Sequence, residues 1–394
     1  MPQKVNFYSI PSSAYVHIPF CRRRCFYCDF PISVVGDRLR GETSGTISQY
    51  VEVLTQEIAT TPTFGKPLET IFFGGGTPSL LSTDQLQQIL AALESNFGIL
   101  PGAEISMEMD PGTFDLAHIA SYSSLGVNRV SLGVQAFQEE LLKLAGRSHS
   151  IADIFAAVEL VRKVEIPEFS LDLISGLPHQ SLERWQDSLL QAVAIAPTHI
   201  SIYDLTIEPG TAFGRYYEPG ASPLPTDETT VKMYQMAQQV LTDAGYEHYE
   251  ISNYAQPGHQ CQHNRVYWKN RLYYGFGMGA ASYIEGKRFT RPRKIKEYYE
   301  WVKAGCVVDC EITPPNEVLL ETLMLGLRLA EGLSLTALAN DFGEDKVDQI
   351  KKFLQPYFDK GWVKIINGRL RLSDPQGFLF SNVVLAELFA KFGE

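Results

Sequence analysis

The sequence contains no run approaching the roughly 18 uninterrupted apolar residues that a membrane-spanning helix needs, so no integral membrane segment is expected. Cysteine is scarce, with six in 394 residues, which excludes a disulfide-stapled secreted scaffold. Basic residues do not dominate. Lys and Arg number 34 against 45 Asp and Glu, a net charge of −11, which argues against broad electrostatic binding to nucleic acid or to anionic membranes. Low-complexity tracts are missing. The first ten residues, Met1 to Ile10, lack the apolar core of a signal peptide. A cytoplasmic protein without a nucleic-acid partner is the expectation. The length suits two or three domains, and 45% hydrophobic content is enough to fill their cores.

Scarce as they are, the cysteines are concentrated. Cys21-Arg22-Arg23-Arg24-Cys25-Phe26-Tyr27-Cys28 carries three of them as C-x3-C-x2-C. Thiolates are soft ligands for zinc, copper(I) and iron–sulfur clusters. Three thiolates fall short of a four-cysteine structural zinc site. They can hold three irons of a [4Fe–4S] cube and leave the fourth open, which is a working position rather than a staple. Disulfides within so tight a loop would be strained.

Around this stretch the chain alternates between short apolar strands and amphipathic helices. Strands are expected at 14–20, 70–73, 104–109, 128–133, 168–174 and 198–204. Helices are expected from about 48, and over 83–97, 115–125, 138–145, 151–164 and 181–195. Ser82 with Gln85 offers a capping box for the second of these. Such alternation implies a parallel sheet with helices outside it. Six units before residue 205 suit a partial (β/α)6 barrel of the α/β class, with functional groups at the C-terminal strand ends, where the cysteine loop also falls. Residues 31–46 read as a loop, 207–226 as a long surface connection rich in Gly and Pro, and 255–290 as irregular. From about 311, three helices (315–330, 333–342, 344–360) precede a hairpin turning on Asn367-Gly368, a winged-helix-like α+β pattern. Acidic side chains outnumber basic ones there, so packing or a partner surface is favoured over nucleic-acid binding. The expected divisions are 1–206, 207–310 and 311–394.

Two further features carry chemistry. Gly74-Gly75-Gly76-Thr77-Pro78 follows a strand and is expected to open a helix, where the backbone can approach an anionic ligand closely. Glu108, Gln135, Arg147 and Asp172 fall at or just beyond strand ends. Each alone reads as a cap or a salt bridge. Together they form a ring suited to an amino-acid-bearing nucleoside, with carboxylates for hydroxyls or an amine and arginine for a carboxylate.

With these motifs, Met107-Glu-Met-Asp-Pro-Gly-Thr, Gly133-Val-Gln-Ala-Phe and Leu171-Asp-Leu-Ile-Ser-Gly-Leu-Pro, the sequence resembles the radical S-adenosylmethionine (SAM) superfamily over nearly its whole length. Within it, the sequence is similar to the branch containing oxygen-independent coproporphyrinogen dehydrogenases and haem chaperones. The resemblance implies that Cys21, Cys25 and Cys28 ligate a [4Fe–4S] cluster whose open iron takes SAM. It implies that Tyr15, Tyr27, Gly75, Gly76, Thr77, Glu108, Gln135, Arg147 and Asp172 surround that cofactor. It also implies that a 5′-deoxyadenosyl radical is within the fold's chemistry.

The dehydrogenases carry a further cysteine two residues after the triplet and a longer segment before it. Here Asp29-Phe30 follow Cys28, and twenty residues precede Cys21. His263-Asn-Arg-Val-Tyr267-Trp268 matches the H-N-x-x-Y-W signature of the chaperones. That match implies haem as a ligand, with His263 at its iron and acceptor haemoproteins as partners, membrane-bound respiratory proteins among them. His263→Ala is then expected to weaken haem binding. Cys261 is an alternative ligand or a buried structural thiol. Gly275-Phe-Gly-Met-Gly-Ala-Ala-Ser lacks the histidine that some relatives carry. Six cations in the ten residues Lys287–Lys296 read either as a solvated loop or as a cradle for haem propionates. Cys306 and Cys310 read as ordinary cysteines. A homodimer is compatible with the sequence. The alternative function is oxidative decarboxylation of coproporphyrinogen III.

Overall fold

The computed structural model describes residues 10–37 and 40–393. The signal-peptide expectation for Met1 to Ile10 therefore lies almost wholly outside the described residues, as does a small part of the 31–46 loop.

Six parallel strands stand side by side in chain order: Ser13–Ile18, Leu68–Gly75, Ile99–Met109, Arg129–Gln135, Glu168–Ser175 and His199–Asp204. Helices Gly45–Thr60, Thr83–Phe97, Leu116–Ser124, Ile151–Val164 and Leu182–Ile195 connect them. Side-chain alternation sets the two faces. Ala14, Val16, Ile71, Phe73, Ile105, Met107, Val130, Leu132, Leu171, Leu173 and Ile200 belong to one continuous apolar core. The intervening positions, among them Ser106, Glu108, Arg129, Ser131, Ser170, Asp172, His199 and Ser201, line an interior cavity instead. A barrel lined by carboxylates, hydroxyls and imidazole is not packed shut in the way an aliphatic barrel interior is.

Local signals placed several elements well. Ser82 and Gln85 form the capping box in both directions, and the helix they start spans Thr83–Phe97. Ser150 and Asp153 form a second one at Ile151–Val164. Other segments differ from expectation. The glycine run does not open a helix; Pro78–Leu80 is a single 3-10 turn, and the helix starts only after Ser82. Ser33–Val34, within the expected loop, pairs in parallel with Phe20–Cys21.

The largest difference concerns residues 247–276. Tyr274–Phe276 adds a parallel strand beside Ser13–Ile18. Glu247–Glu250 and Asn253–Ala255 form an antiparallel hairpin against His199–Asp204. These pieces are only three or four residues long, and their hydrogen-bond partners are the two open edges of the barrel. No local pattern announces such pairing. The resulting sheet has nine strands. Nor is the Gly/Pro-rich connection only a surface feature. Phe213, 1% exposed, sits in a short helix Phe213–Tyr216 and packs on Phe26 and Tyr27 of the cysteine loop.

The C-terminal part has its own core of Leu323, Leu327, Leu354, Leu370, Val384 and Leu388. Helices Pro315–Gly326, Leu335–Phe342 and Glu344–Phe353 precede the hairpin Val363–Ile366 and Arg369–Leu372. Asn367 and Gly368 both take positive φ, 50° and 72°, as the two-residue turn demands. Leu333–Ser334 adds a third strand, and a helix not foreseen from sequence, Ser381–Phe392, closes the unit. The unit docks by backbone bonds to the barrel hairpin, Ile251 N–H to Arg328 O at 3.0 Å and Ala330 N–H to Tyr249 O at 2.9 Å.

Candidate cofactor pocket

At the C-terminal ends of the strands lies a cavity of about 410 Å³. It is lined by Cys21, Cys25, Tyr27, Cys28, Gly75, Gly76, Thr77, Glu108, Gln135, Arg147 and Asp172. Eleven of the thirteen candidate residues thus meet in one place, although they are spread over more than 150 positions of sequence. Tyr15 lies one layer deeper, on the smaller interior cavity that shares Glu108 and Asp172 with the pocket. Its hydroxyl is 3.0 Å from His17 Nδ1.

Each side chain is held for a visible reason. The cysteine loop is pinned by Phe26 N–H to Ala145 O at 3.0 Å and by the Arg147 guanidinium. Arg147 donates to Asp110 Oδ1 at 2.5 Å, to the Gly133 carbonyl at 2.9 Å and to Cys25 Sγ at 3.4 Å. Thr77 Oγ1 donates to Cys21 Sγ at 3.7 Å and to Asp110 Oδ2 at 3.2 Å. The glycines permit close packing. A Cβ on Gly75, at φ 114°, would strike the His17 ring at 2.5 Å; one on Gly76 would sit 2.7 Å from Phe20 O and 3.0 Å from Cys21 Sγ. Gln135 is turned into the pocket by a register shift after Gly133 and takes a left-handed φ of 68°, strain of the kind that collects at functional sites.

Electrostatically the pocket is acidic and partly neutralised. Burial, with the Asp172 charge adding to it, pushes the Glu108 carboxyl up to about 8. Burial also raises Asp172, against hydrogen bonds from Ser201 and Ser131; Ser131 Oγ lies 2.8 and 2.9 Å from its two oxygens. Burial opposes the charge on Arg147, but Asp110 outweighs it and holds the guanidinium firmly charged. A carboxyl raised in the folded state keeps its proton there. Its stabilising contribution is therefore full below the unfolded value of 4.5 and is lost as pH rises through about 8. At about 1.4 kcal/mol per unit, the loss is on the order of a few kcal/mol. Denaturant unfolding at several pH values between 5 and 9 should show wild-type stability falling with pH, and a shallower fall in Glu108→Gln.

Residues 15–192 match the Radical SAM superfamily, and residues 313–380 match the HemN C-terminal domain. Heme chaperone HemW of Synechocystis sp. is 47% identical, with 98% of each chain covered. Heme chaperone HemW of Bacillus subtilis is 34% identical, covering 94% of this chain and 97% of that one. The chain belongs to the HemW family of radical SAM proteins. Among solved structures, coproporphyrinogen III oxidase (HemN) from Escherichia coli superposes with a TM-score of 0.82 over 95% of this chain and 89% of that one, at 24% identity, a likeness of fold.

Radical SAM membership implies a [4Fe–4S] cluster and SAM, and the donor set fits both. The three thiols share one wall of the pocket. Among the described residues no three His, Cys, Asp or Glu side chains converge on a point that would suit a single ion. A cube spreads its thiolates over several irons, wider than a lone zinc with Zn–S of about 2.3 Å would. Burial pushes the Cys21 thiol up to about 12, so metal binding there has a proton to displace. The acidic lining of Glu108, Asp110, Asp172 and Asp204 suits a ligand that carries a sulfonium and an amine.

His263 is not in this pocket, and its expected role needs correction. It is fully buried beneath the barrel; Nδ1 lies 2.8 Å from Thr70 Oγ1, Nε2 lies 2.8 Å from the Tyr267 hydroxyl, and the ring stacks on Phe72. Both nitrogens are engaged, so neither is free for haem iron. The helix Gln262–Trp268 plugs the N-terminal mouth of the barrel. The Glu104 carboxylate caps it, accepting from His263 N–H at 2.9 Å and Gln262 N–H at 3.0 Å. His263→Ala would leave two buried hydroxyls and a void, at a cost of about 2–4 kcal/mol. A lowered melting temperature, larger than any direct change in haem affinity, is the expected reading.

The Lys287–Lys296 cations likewise do not form one cradle. Arg291 is buried against Glu57 at 2.7 Å, and Arg288 pairs with Glu321 at 3.0 Å. Cys261 is buried and donates to Glu104. Sequence reasoning missed Asp110, Ser131, Tyr203 and Asp204 on the pocket wall. Asp110 was available from the Met-Asp-Pro-Gly turn. Ser131 and Tyr203 follow from extending the strand parity by one residue.

Proposed function

We propose that this protein is a haem chaperone, binding haem and passing it to acceptor haemoproteins. The observation that carries this reading is full-length identity of 47% to a chain named Heme chaperone HemW, running through barrel and C-terminal domain alike. In this reading Cys21, Cys25 and Cys28 hold the cluster. Glu108, Gln135, Asp172 and the Gly75-Gly76-Thr77 turn surround SAM, and Arg147 orients the cysteine loop through Cys25. The bound cofactors would supply one-electron chemistry, which the protein can use catalytically or as a switch on haem release. The pocket residues position the ligand, and the aromatic side chains of Phe26, Tyr27 and Phe213 limit water around the loop. Asp29-Phe30, in place of a further cysteine, weighs against porphyrinogen decarboxylation.

The test is a haem titration of the anaerobically purified, cluster-loaded protein, followed by mixing with an apo-haemoprotein. The expected result is a Soret change saturating at micromolar haem, then transfer of that absorbance to the acceptor. No Soret change at micromolar haem would remove the chaperone reading. Turnover of coproporphyrinogen III with carbon dioxide release, measured on the same preparation, would replace it with the enzyme.

A further inference from the structure

A second cavity, of about 340 Å³, lies between the barrel and the C-terminal domain. Trp268, Tyr234 and Tyr254 come to it from one side, Arg328, Phe378 and Asn382 from the other. It borders the cofactor pocket, because Tyr203 and Asp204 line both. Its surroundings are unusual in their polar accounting. Buried side-chain polar atoms nearly always have a partner. Among the described residues nine lack one, and five of those are gathered here: Tyr234 Oη, His248 Nε2, Glu250 Oε1, Asn253 Oδ1 and Arg328 Nε. His248, Glu250 and Asn253 are 7%, 0% and 4% exposed. They belong to the hairpin whose Ile251, Ser252 and Tyr254 form the cavity wall, and His248 stacks on Tyr254 with ring centroids 4.1 Å apart.

So many unpaired polar groups beside a preformed space point to a ligand that pairs with some of them. The chemistry of that ligand follows from the wall. Arg328 is the only cation lining the cavity among the described residues, and its guanidinium is only part used, by Asn382 Oδ1 at 3.2 Å. With the Tyr234 hydroxyl it makes a donor pair for a carboxylate. Trp268, Tyr254 and Phe378 offer aromatic surface to a flat ring. We propose that this interdomain cavity binds a planar ligand bearing a carboxylate, with Arg328 and Tyr234 on the carboxylate and Trp268 against the ring. Of the H-N-x-x-Y-W residues, Trp268 is then the one that meets ligand, while His263 and Tyr267 build the plug beneath it.

Haem and a simple aromatic carboxylate share this chemistry, and the identity of the occupant, though not the existence of the site, rests on the haem-chaperone reading. Haemin and indole-3-acetate are titrated separately into the full-length, cluster-loaded protein, followed by absorbance and by Trp fluorescence. Arg328→Met, Tyr234→Phe and Trp268→Leu are compared with wild type. At least one ligand is expected to bind wild type. Arg328→Met should weaken that ligand by about tenfold or more, Arg328→Lys should recover part of the loss, and Tyr234→Phe should weaken it several-fold. Haemin binding that depends on Arg328 assigns the site to tetrapyrrole. Arg328-dependent binding of indole-3-acetate alone keeps the site and removes the haem reading. Haemin binding unchanged in both Arg328→Met and Tyr234→Phe keeps the haem reading and overturns the site, as does failure of both ligands to bind. Tyr234→Phe removes a single oxygen and decides the matter if Arg328→Met does not fold.

Discussion

Cys25→Ser is expected to leave a folded protein that no longer assembles its cluster. The three thiols come from one eight-residue loop, and each would hold a different iron, so losing one removes a third of the protein's grip. Cys25 is also the sulfur that Arg147 reaches, at 3.4 Å. Donors to cluster sulfurs tune potential and orientation, but they cannot replace an iron–sulfur bond. The fold does not depend on this thiol. Cys25 is outside the apolar core, and the loop keeps its Phe26–Ala145 backbone bond and its contact with Phe213. Iron and sulfide analysis after anaerobic reconstitution should fall to background in the variant, while its melting temperature stays within a few degrees of the apo wild type. Cys310→Ser is the matched control. That thiol hydrogen-bonds to the Arg288 carbonyl at 3.5 Å and does not line the pocket, so iron content should be unchanged. Full loading in Cys25→Ser would remove the cluster assignment for the triplet.

The second large effect is on stability. Glu57 is fully buried, and its carboxylate accepts from Arg291 Nε at 2.7 Å, Tyr298 Oη at 2.7 Å and Gly277 N–H at 2.8 Å. Glu57→Ala leaves the buried Arg291 cation without its partner, which costs about 3–5 kcal/mol for a buried pair. The two other donors lose their acceptor as well, and an unsatisfied buried donor costs about 1–3 kcal/mol. These costs overlap rather than add, but even the lower figure is a large share of a stability of about 5–15 kcal/mol. Urea unfolding should show the midpoint falling sharply. Arg291→Met in the Glu57→Ala background should restore part of it, because the stranded charge is gone. A loss under about 1 kcal/mol would mean that the pair is solvated. The effect also reaches the site. Residues 274–276 pair with the strand that delivers the cysteine loop, and Tyr50 ties the following turn to that strand through His17 O at 2.8 Å and Met278 N–H at 2.9 Å.

How far the molecule could be read in advance depended on the range of each interaction. Ser82 with Gln85, and Asn367 with Gly368, act within four residues, so the helix Thr83–Phe97 and the C-terminal hairpin were legible to within a residue or two. The helix Ser381–Phe392 was legible too, through Val384, Leu385 and Leu388 at helical spacing, but was passed over. Strand parity placed Glu108 and Asp172 at the pocket. It did not announce that the positions beneath them, Ser106 and Ser170, make the barrel interior polar.

By itself, the sequence determined the α/β alternation, the three thiols in one loop, and the membership of a ring of polar residues at the strand ends, because period, spacing and motif are properties of neighbours along the chain. Only the tertiary structure decided what the signature helix Gln262–Trp268 does. Its histidine reaches Thr70 across 193 positions and is spent on holding a plug in place, while its tryptophan faces the interdomain cavity. It also decided that Arg291, one of six clustered cations, is no surface charge but the partner of Glu57 across 234 positions. Whether a polar side chain turns toward ligand or toward its own core is set by packing against distant segments, and a local pattern of residue types is the same in either case.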